Sequence, residues 1–278
     1  MNGKEYLTEN EFHVLGVQRT GQHAIIGWLI GHFDKVCFRN GLSAFCNERH
    51  PGICPPYWYF NLNERNFQWR ESQGKRIKGY QDAIILGTEF VNPMLTMHRR
   101  FEEDKARLAK DAGFDNFSKN NTNIIVIRSP WNHLASVLSW KNKWYLKKKE
   151  RFIDCWLMMA RECLGITNNI HSPKLFIIFD KWFSDKNYRM ELAKKLKIKF
   201  SDRGLNIVMP VGRARRGSSF NTMEYNGDAQ KMKVLDRWKS YLSNSVEFTN
   251  VIYMRKELLD LSEKIFGPIP FDKEGKIK

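Results

Sequence analysis

The stretch Phe12-His13-Val14-Leu15-Gly16-Val17-Gln18-Arg19-Thr20-Gly21-Gln22-His23-Ala24-Ile25-Ile26-Gly27-Trp28-Leu29 constrains this chain more than any other. Phe12 to Val17 is a short apolar run of the kind that makes a buried strand, and Ile25, Ile26, Trp28 and Leu29 fall at helical spacing. Between them, Gly16 to Gly21 forms a tight glycine-bounded turn. Strand, glycine loop and helix in that order aim backbone N–H groups at an anion, and the helix dipole adds to the pull. The spacing matches the start of the nucleoside-triphosphate loop GxxxxGK[ST], but Gln22 and His23 stand where that motif needs lysine and a hydroxyl. The residues point to a phosphate-type anion bound without ATP and Mg²⁺. An ordinary strand–turn–helix would carry the same stretch if no partner motif accompanied it.

Further strands are expected at 35–39, 83–87, 123–128 and 174–180. Helices are expected after Ser129-Pro130 and over 97–112, 150–166 and 188–196. Strands alternating with helices predict an α/β fold with a mainly parallel sheet, and the absence of repeats and linkers predicts one domain over 1–278. Residues 40–78 read as irregular, with Pro51, Pro55 and Pro56 among Tyr57, Trp58, Tyr59, Phe60, Phe67 and Trp69. A loop that long is functional or disordered, and its aromatics favour function. The 40–80 segment is expected to form a wall of an acceptor pocket or to staple a long loop to the core.

Two more constellations suit anions. Arg128 ends the clearest strand, where α/β folds bind ligands, and Ser136 follows eight residues later in the next helix. Arg213, Arg215 and Arg216 precede Gly217, and guanidinium groups pair bidentately with phosphate oxygens.

Taken together, these three motifs resemble the PAPS-dependent sulfotransferases, in their soluble bacterial form (PAPS is 3′-phosphoadenosine 5′-phosphosulfate). The resemblance implies a three-layer α/β/α fold like that of nucleotide kinases. It also implies metal-independent transfer of a sulfuryl group from PAPS to a small-molecule hydroxyl or to an amine or amide nitrogen, leaving 3′-phosphoadenosine 5′-phosphate (PAP). Arg19, Thr20, Gly21, Gln22 and His23 match the family's 5′-phosphosulfate loop, with Arg19 as the catalytic cation. Arg128 and Ser136 match its 3′-phosphate motif. Arg215-Arg216-Gly217, within 211–220, matches its cofactor-closing loop, and Val234 to Trp238 resembles an Arg-Trp helix of bacterial members. The general base falls on Glu89, with His98 as runner-up and His23 a distant third. Phe179 departs from the pattern: it stands where many members have a tyrosine that reaches the adenine, and only stacking remains open to it.

The 278 residues carry a formal charge of +16, which suits a highly phosphorylated cofactor, nucleic acid or a membrane surface. Most of the basic residues are scattered, as on a solvated surface. The five cysteines form no C-x-x-C pair, so no metal site is expected and free thiols in a reducing compartment fit. Polar residues 1–10 and short apolar runs predict neither signal peptide nor membrane span, and so a cytoplasmic protein. The alternatives are a P-loop kinase of the same fold or a basic nucleic-acid-binding protein. Lack of an anchor favours a soluble metabolite or natural product as acceptor, and Glu48, Glu64, Glu71 and Glu89 would suit a cationic, alkaloid-type one.

Overall fold

The computed structural model describes residues 6–40, 57–61, 70–72, 81–90, 110, 114–139, 149–170, 173–205, 225, 228–242 and 246–278. Its strands are β1 (Tyr6–Val17), β2 (Lys35–Asn40), β3 (Tyr57–Asn61), β4 (Arg70–Ser72), β5 (Gln81–Phe90), β6 (Asn116–Ile127) and β7 (Lys174–Ile178). Its helices are α1 (Gln22–Ile30), α2 (Pro130–Leu138), α3 (Lys149–Cys163), α4 (Phe179–Ser184), α5 (Lys186–Lys195), α6 (Lys239–Leu242), α7 (Val246–Tyr253) and α8 (Lys256–Phe266), with a 3₁₀ turn at Ala229–Met232.

The strands form one sheet in the order β4-β3-β2-β5-β1-β6-β7. β2, β5, β1, β6 and β7 run parallel, while β3 and β4 add on as antiparallel strands at one edge. The chain leaves β1 toward one side for β2 and β5 and later returns to its other side for β6. The crevice beyond the C-terminal ends of β1 and β6 is thus a topological switch point, the usual ligand position in open α/β sheets.

Alternation along the central strands builds the layers. Phe12 and Val14 of β1, Ile124 and Val126 of β6 and Ile177 of β7 enter one core with Ile25, Ile26, Trp28 and Leu29 of α1, Trp182 of α4 and Leu192 of α5. Leu15 and Val17 of β1 and Ile125 and Ile127 of β6 enter a second core with α2, α3, α7 and α8. Residues one apart point to opposite faces, so strands covered on both sides need unbroken apolar runs. The result is the expected three-layer α/β/α arrangement with a mainly parallel sheet.

Several element bounds differ from expectation. β1 starts at Tyr6 and β6 at Asn116, because pairing in register, Thr8↔Ser118 and Asn10↔Asn120 among them, carries the strands through polar sequence. Part of the stretch read as irregular supplies β3, whose aromatic residues have high strand propensity, and the short β4 that pairs with it. Phe179 and Asp180 open α4 instead of closing β7. Val234 to Trp238 is a succession of turns, with α6 starting only at Lys239. The helix expected over 97–112 lies outside the described residues except for helical Lys110, and the C-terminal pair α7 and α8 went unread.

Candidate anion-binding site at the switch point

The loop after β1 is built by two glycines for different reasons. Gly21 has φ 92°, a left-handed conformation that only glycine adopts without strain, and it starts α1 with no side chain capping the helix. A Cβ at Gly16 would come within 2.6 Å of Thr20 Oγ1 and 2.9 Å of Gln22 Oε1, so the missing side chain is what lets the loop fold back on its strand. Thr20 closes the turn by donating both its N–H (3.1 Å) and its hydroxyl (2.9 Å) to the Val17 carbonyl. Arg19 is also left-handed at φ 74°, unusual for a residue with a Cβ.

Gln22, in the kinase-lysine position, is 1% exposed, and neither its Oε1 nor its Nε2 has a hydrogen-bond partner. A buried amide with both ends unmet costs free energy that an ordinary core residue would not. No acidic residue stands in the first turn of α1 to oppose an anion there.

β6 delivers Arg128 to the same place. Gly16 is level with Val126, so the residue just past Ile127 reaches the loop. Arg128 is 3% exposed; Nη1 donates to the Arg19 carbonyl (3.3 Å), Nη2 donates to the Val234 carbonyl (2.6 Å), and Nε meets no acceptor. Its guanidinium lies 4.8 Å from the centre of the Phe179 ring. Burial lowers its pKa to about 10, against the opposing pull of Asp180. Phe179 also closes on the loop from the other side, since a Cβ on Gly21 would sit 2.3 Å from its ring. The ring is therefore a spacer between loop and arginine. At 3% exposure it offers no face for an adenine to stack on, which corrects the expectation for this position.

Asp180 fixes the turn after β6. Its carboxylate accepts from Ser129 N–H (2.9 Å), Ser129 Oγ (2.6 Å) and Asn132 Nδ2 (2.8 Å). Ser129 thereby leaves the cap of α2 to its backbone carbonyl, which accepts from His133 N–H (2.9 Å). His133, fully buried, donates from Nε2 to the Gln18 carbonyl at 2.5 Å. Burial pulls its pKa down to about 3, so the ring is neutral and carries its proton on the nitrogen facing the carbonyl. Arg128 and His133 thus hold two consecutive carbonyls of the β1 loop.

The structure brings Arg19, Thr20, Gly21, Gln22, His23 and Arg128 together at one end of the sheet. Ser136 is buried in α2, which leads away from the same turn. The backbone of Glu89 pairs with Gly16, placing it beside the start of the loop, but its side chain lies outside the described residues. His98, Arg215, Arg216 and Gly217 also lie outside them. Sequence reasoning missed Asp180 as part of this region and met Arg237 only within the resemblance of Val234 to Trp238 to an Arg-Trp helix. Arg237 is 8% exposed with Nε donating to the Met232 carbonyl (3.4 Å). Among the described residues no helix is long and apolar enough to cross a membrane, and no group of His, Cys, Asp and Glu is arranged to hold a metal.

No family model and no curated protein matches the chain. Among solved structures it is similar to the sulfotransferase domain of the Synechococcus PCC 7002 olefin synthase, at 12% identity and TM-score 0.48, over 97% of this chain and 100% of that one. It is also similar to the sulfotransferase domain of the curacin biosynthetic pathway, at 12% identity and TM-score 0.48, over 94% of this chain and 99% of that one.

Proposed function

We propose that this protein is a PAPS-dependent sulfotransferase acting on a small-molecule acceptor. The observation that carries the reading is the union of two anion-directed groups at the switch point: the β1 loop, with Gln22 in place of a kinase lysine, and Arg128 gripping the Arg19 carbonyl. The residues fit the donor. The uncapped start of α1 and the unmet amide of Gln22 suit a 5′-phosphosulfate, and the unmet Arg128 Nε suits a second phosphate. In this reading Thr20, Gly21, Gln22 and His23 hold the 5′-group, Arg128 and Ser136 the 3′-phosphate, and Arg215, Arg216 and Gly217 close over the nucleotide.

PAPS supplies an activated sulfuryl group. Its S–O bond to the 5′-phosphate breaks as sulfur bonds to the acceptor oxygen or nitrogen; the acceptor proton passes to a base and the bridging oxygen leaves with PAP. Arg19 stabilises the negative charge that grows on that oxygen, and a guanidinium stays charged throughout. Glu89, level with Gly16, is the proposed base, with His98 as the alternative. The acceptor is a cytoplasmic metabolite or natural product, a cationic one suiting the acidic residues of the 40–90 region.

Thermal stability with PAP, with AMP, and with ATP plus Mg²⁺ tests the reading. A shift selective for PAP supports it, and its loss in Arg128→Ala ties it to this site. A shift with ATP plus Mg²⁺ alone would make the protein a kinase. No shift with any nucleotide would return attention to the +16 charge and to nucleic acid.

A further inference from the structure

Trp28 of α1 and His32, just past the end of that helix, both bind the backbone of Ser201. Nε1 of Trp28 donates to the Ser201 carbonyl (3.0 Å), and Ser201 N–H donates to Nε2 of His32 (3.2 Å). Nδ1 of the same imidazole lies 2.8 Å from the Trp28 carbonyl. The two rings pack edge to face with 4.7 Å between centroids. Ser201 is thus gripped at both of its backbone polar groups. The contact continues backbone on backbone: a Cβ on Gly204 would overlap the Gly27 carbonyl oxygen, and one on Gly31 would come within 2.6 Å of the Gly204 nitrogen. On the far side, Arg189 of α5 holds Asp202 through two bonds of 2.9 and 3.0 Å.

The partners fix the protonation of the His32 ring. A carbonyl only accepts and an amide N–H only donates, so Nδ1 carries the proton and Nε2 is bare. A second proton would set N–H against N–H at Ser201, while the bond to the Trp28 carbonyl would survive. The cation would also gain from the carbonyls at the end of α1, since a helix C-terminus attracts positive charge. Burial holds the ring below its ordinary pKa of 6.5, against the Trp28 and Leu29 carbonyls, which favour the cation. Among charged neighbours, Asp202 favours protonation and Arg203 opposes it, both from the same segment as Ser201. The charge that α5 brings to this place, Arg189, is engaged with Asp202. α1 itself carries no acidic residue in its first turn and no basic one in its last.

We propose that His32 is an acid-released latch: the neutral ring ties the 201–205 segment to the end of α1, and uptake of a proton lets Ser201 go. The bonds to Ser201 and to Trp28 cannot both be kept by the charged ring, so the docking of this segment is linked to one proton. The latch grips α1 at the end opposite the candidate anion site, and it stands apart from the PAPS reading.

The test is amide hydrogen exchange of Ser201, followed by NMR from about pH 7.5 to about pH 5 and corrected for the intrinsic rate, in wild type, His32→Gln and His32→Phe. The amide of Ile125, in the buried part of β6, is the reference for global opening. Glutamine supplies a donor and an acceptor and does not titrate; phenylalanine keeps a ring beside Trp28 and supplies neither. Wild-type protection of Ser201 relative to Ile125 should fall by about tenfold over that range, as one linked proton requires. The ratio should hold within about twofold in His32→Gln and should be low at both ends in His32→Phe. If the phenylalanine variant does not fold, wild type and the glutamine variant decide the matter. A wild-type ratio that holds within about twofold, an equal fall in the glutamine variant, or loss at Ser201 in step with Ile125 overturns the latch and leaves the PAPS reading untouched.

Discussion

Nη1 of Arg128 donates to the backbone carbonyl of Arg19 across 3.3 Å, so the residue that follows β6 holds the loop that follows β1. The carbonyl it holds belongs to a residue in the left-handed region, at φ 74°. A residue with a Cβ costs about 1–2 kcal/mol in that conformation, and the surrounding contacts must over-determine it. Arg128→Met should therefore lower stability by about 2 kcal/mol, since the carbonyls of Arg19 and Val234 both lose a charged donor. Arg128→Lys should recover less than half of that, because an ammonium cannot span both acceptors as the planar fork does. Denaturant midpoints of the three proteins decide it; equal midpoints would mean that the loop does not depend on this contact.

Gln22→Met should behave in the opposite way. The amide is buried with no partner at either end, so an apolar side chain of similar length should leave the protein equally stable or raise it by about 1 kcal/mol. Affinity for PAP should fall in the same variant. A large loss of stability would show that Gln22 serves the fold and that its amide awaits no ligand.

Gly21→Ala meets two obstacles at once, a φ of 92° and a Cβ 2.3 Å from the Phe179 ring. A cost of about 2–4 kcal/mol is expected from strain and overpacking together. Phe179→Leu should relieve the second part only, so a double-mutant cycle between the two positions should show a coupling of about 1 kcal/mol. Strict additivity would contradict the close packing of this ring on the loop.

His133 gives the protein a specific acid sensitivity. Its folded pKa is about 3, well below the ordinary value of 6.5, because burial disfavours the charged ring. The unfolded chain binds that proton more readily. The stability contributed by the neutral imidazole is thus fully present above pH 6.5 and is lost as pH falls from there toward 3. Over that window the loss should approach about 1.4 kcal/mol per pH unit from this one site. Unfolding free energies of wild type and His133→Gln across that range should differ in slope by close to one proton. His32, also lowered by burial, contributes to both proteins alike and cancels in the comparison. Parallel slopes would mean that the ring is solvated enough to charge within the folded state.

Much of this was legible in the linear sequence, for a local reason. The runs Phe12 to Val17, Ile124 to Ile127 and Leu175 to Ile178 are continuous because each strand is covered on both faces, and that pattern survives in one dimension. The Gly16–Gly21 loop was readable because the two glycines that permit the turn and Thr20, which closes it, stand within six positions of one another. Arg128 was readable because a charge directly after an apolar strand has few places to go but the end of the sheet. Asp180, by contrast, looked like the last residue of a strand. Its importance comes from Ser129 and Asn132, some fifty positions earlier in the chain, and no local pattern announces such a pairing.

The sequence by itself determined the alternation of elements, the two-sided burial of the central strands and the anion-directed loop, since propensity, periodicity and glycine chemistry act over a few residues. Only the tertiary structure decided which neighbours the strands took, that Phe179 turns inward as a spacer between Gly21 and Arg128, and that Arg128 and Arg237, both buried, donate to carbonyls of the same short segment. Those outcomes depend on which faces meet once both cores close. Packing and charge act through space, and the segments they join here stand from about fifty to more than a hundred and fifty residues apart along the chain.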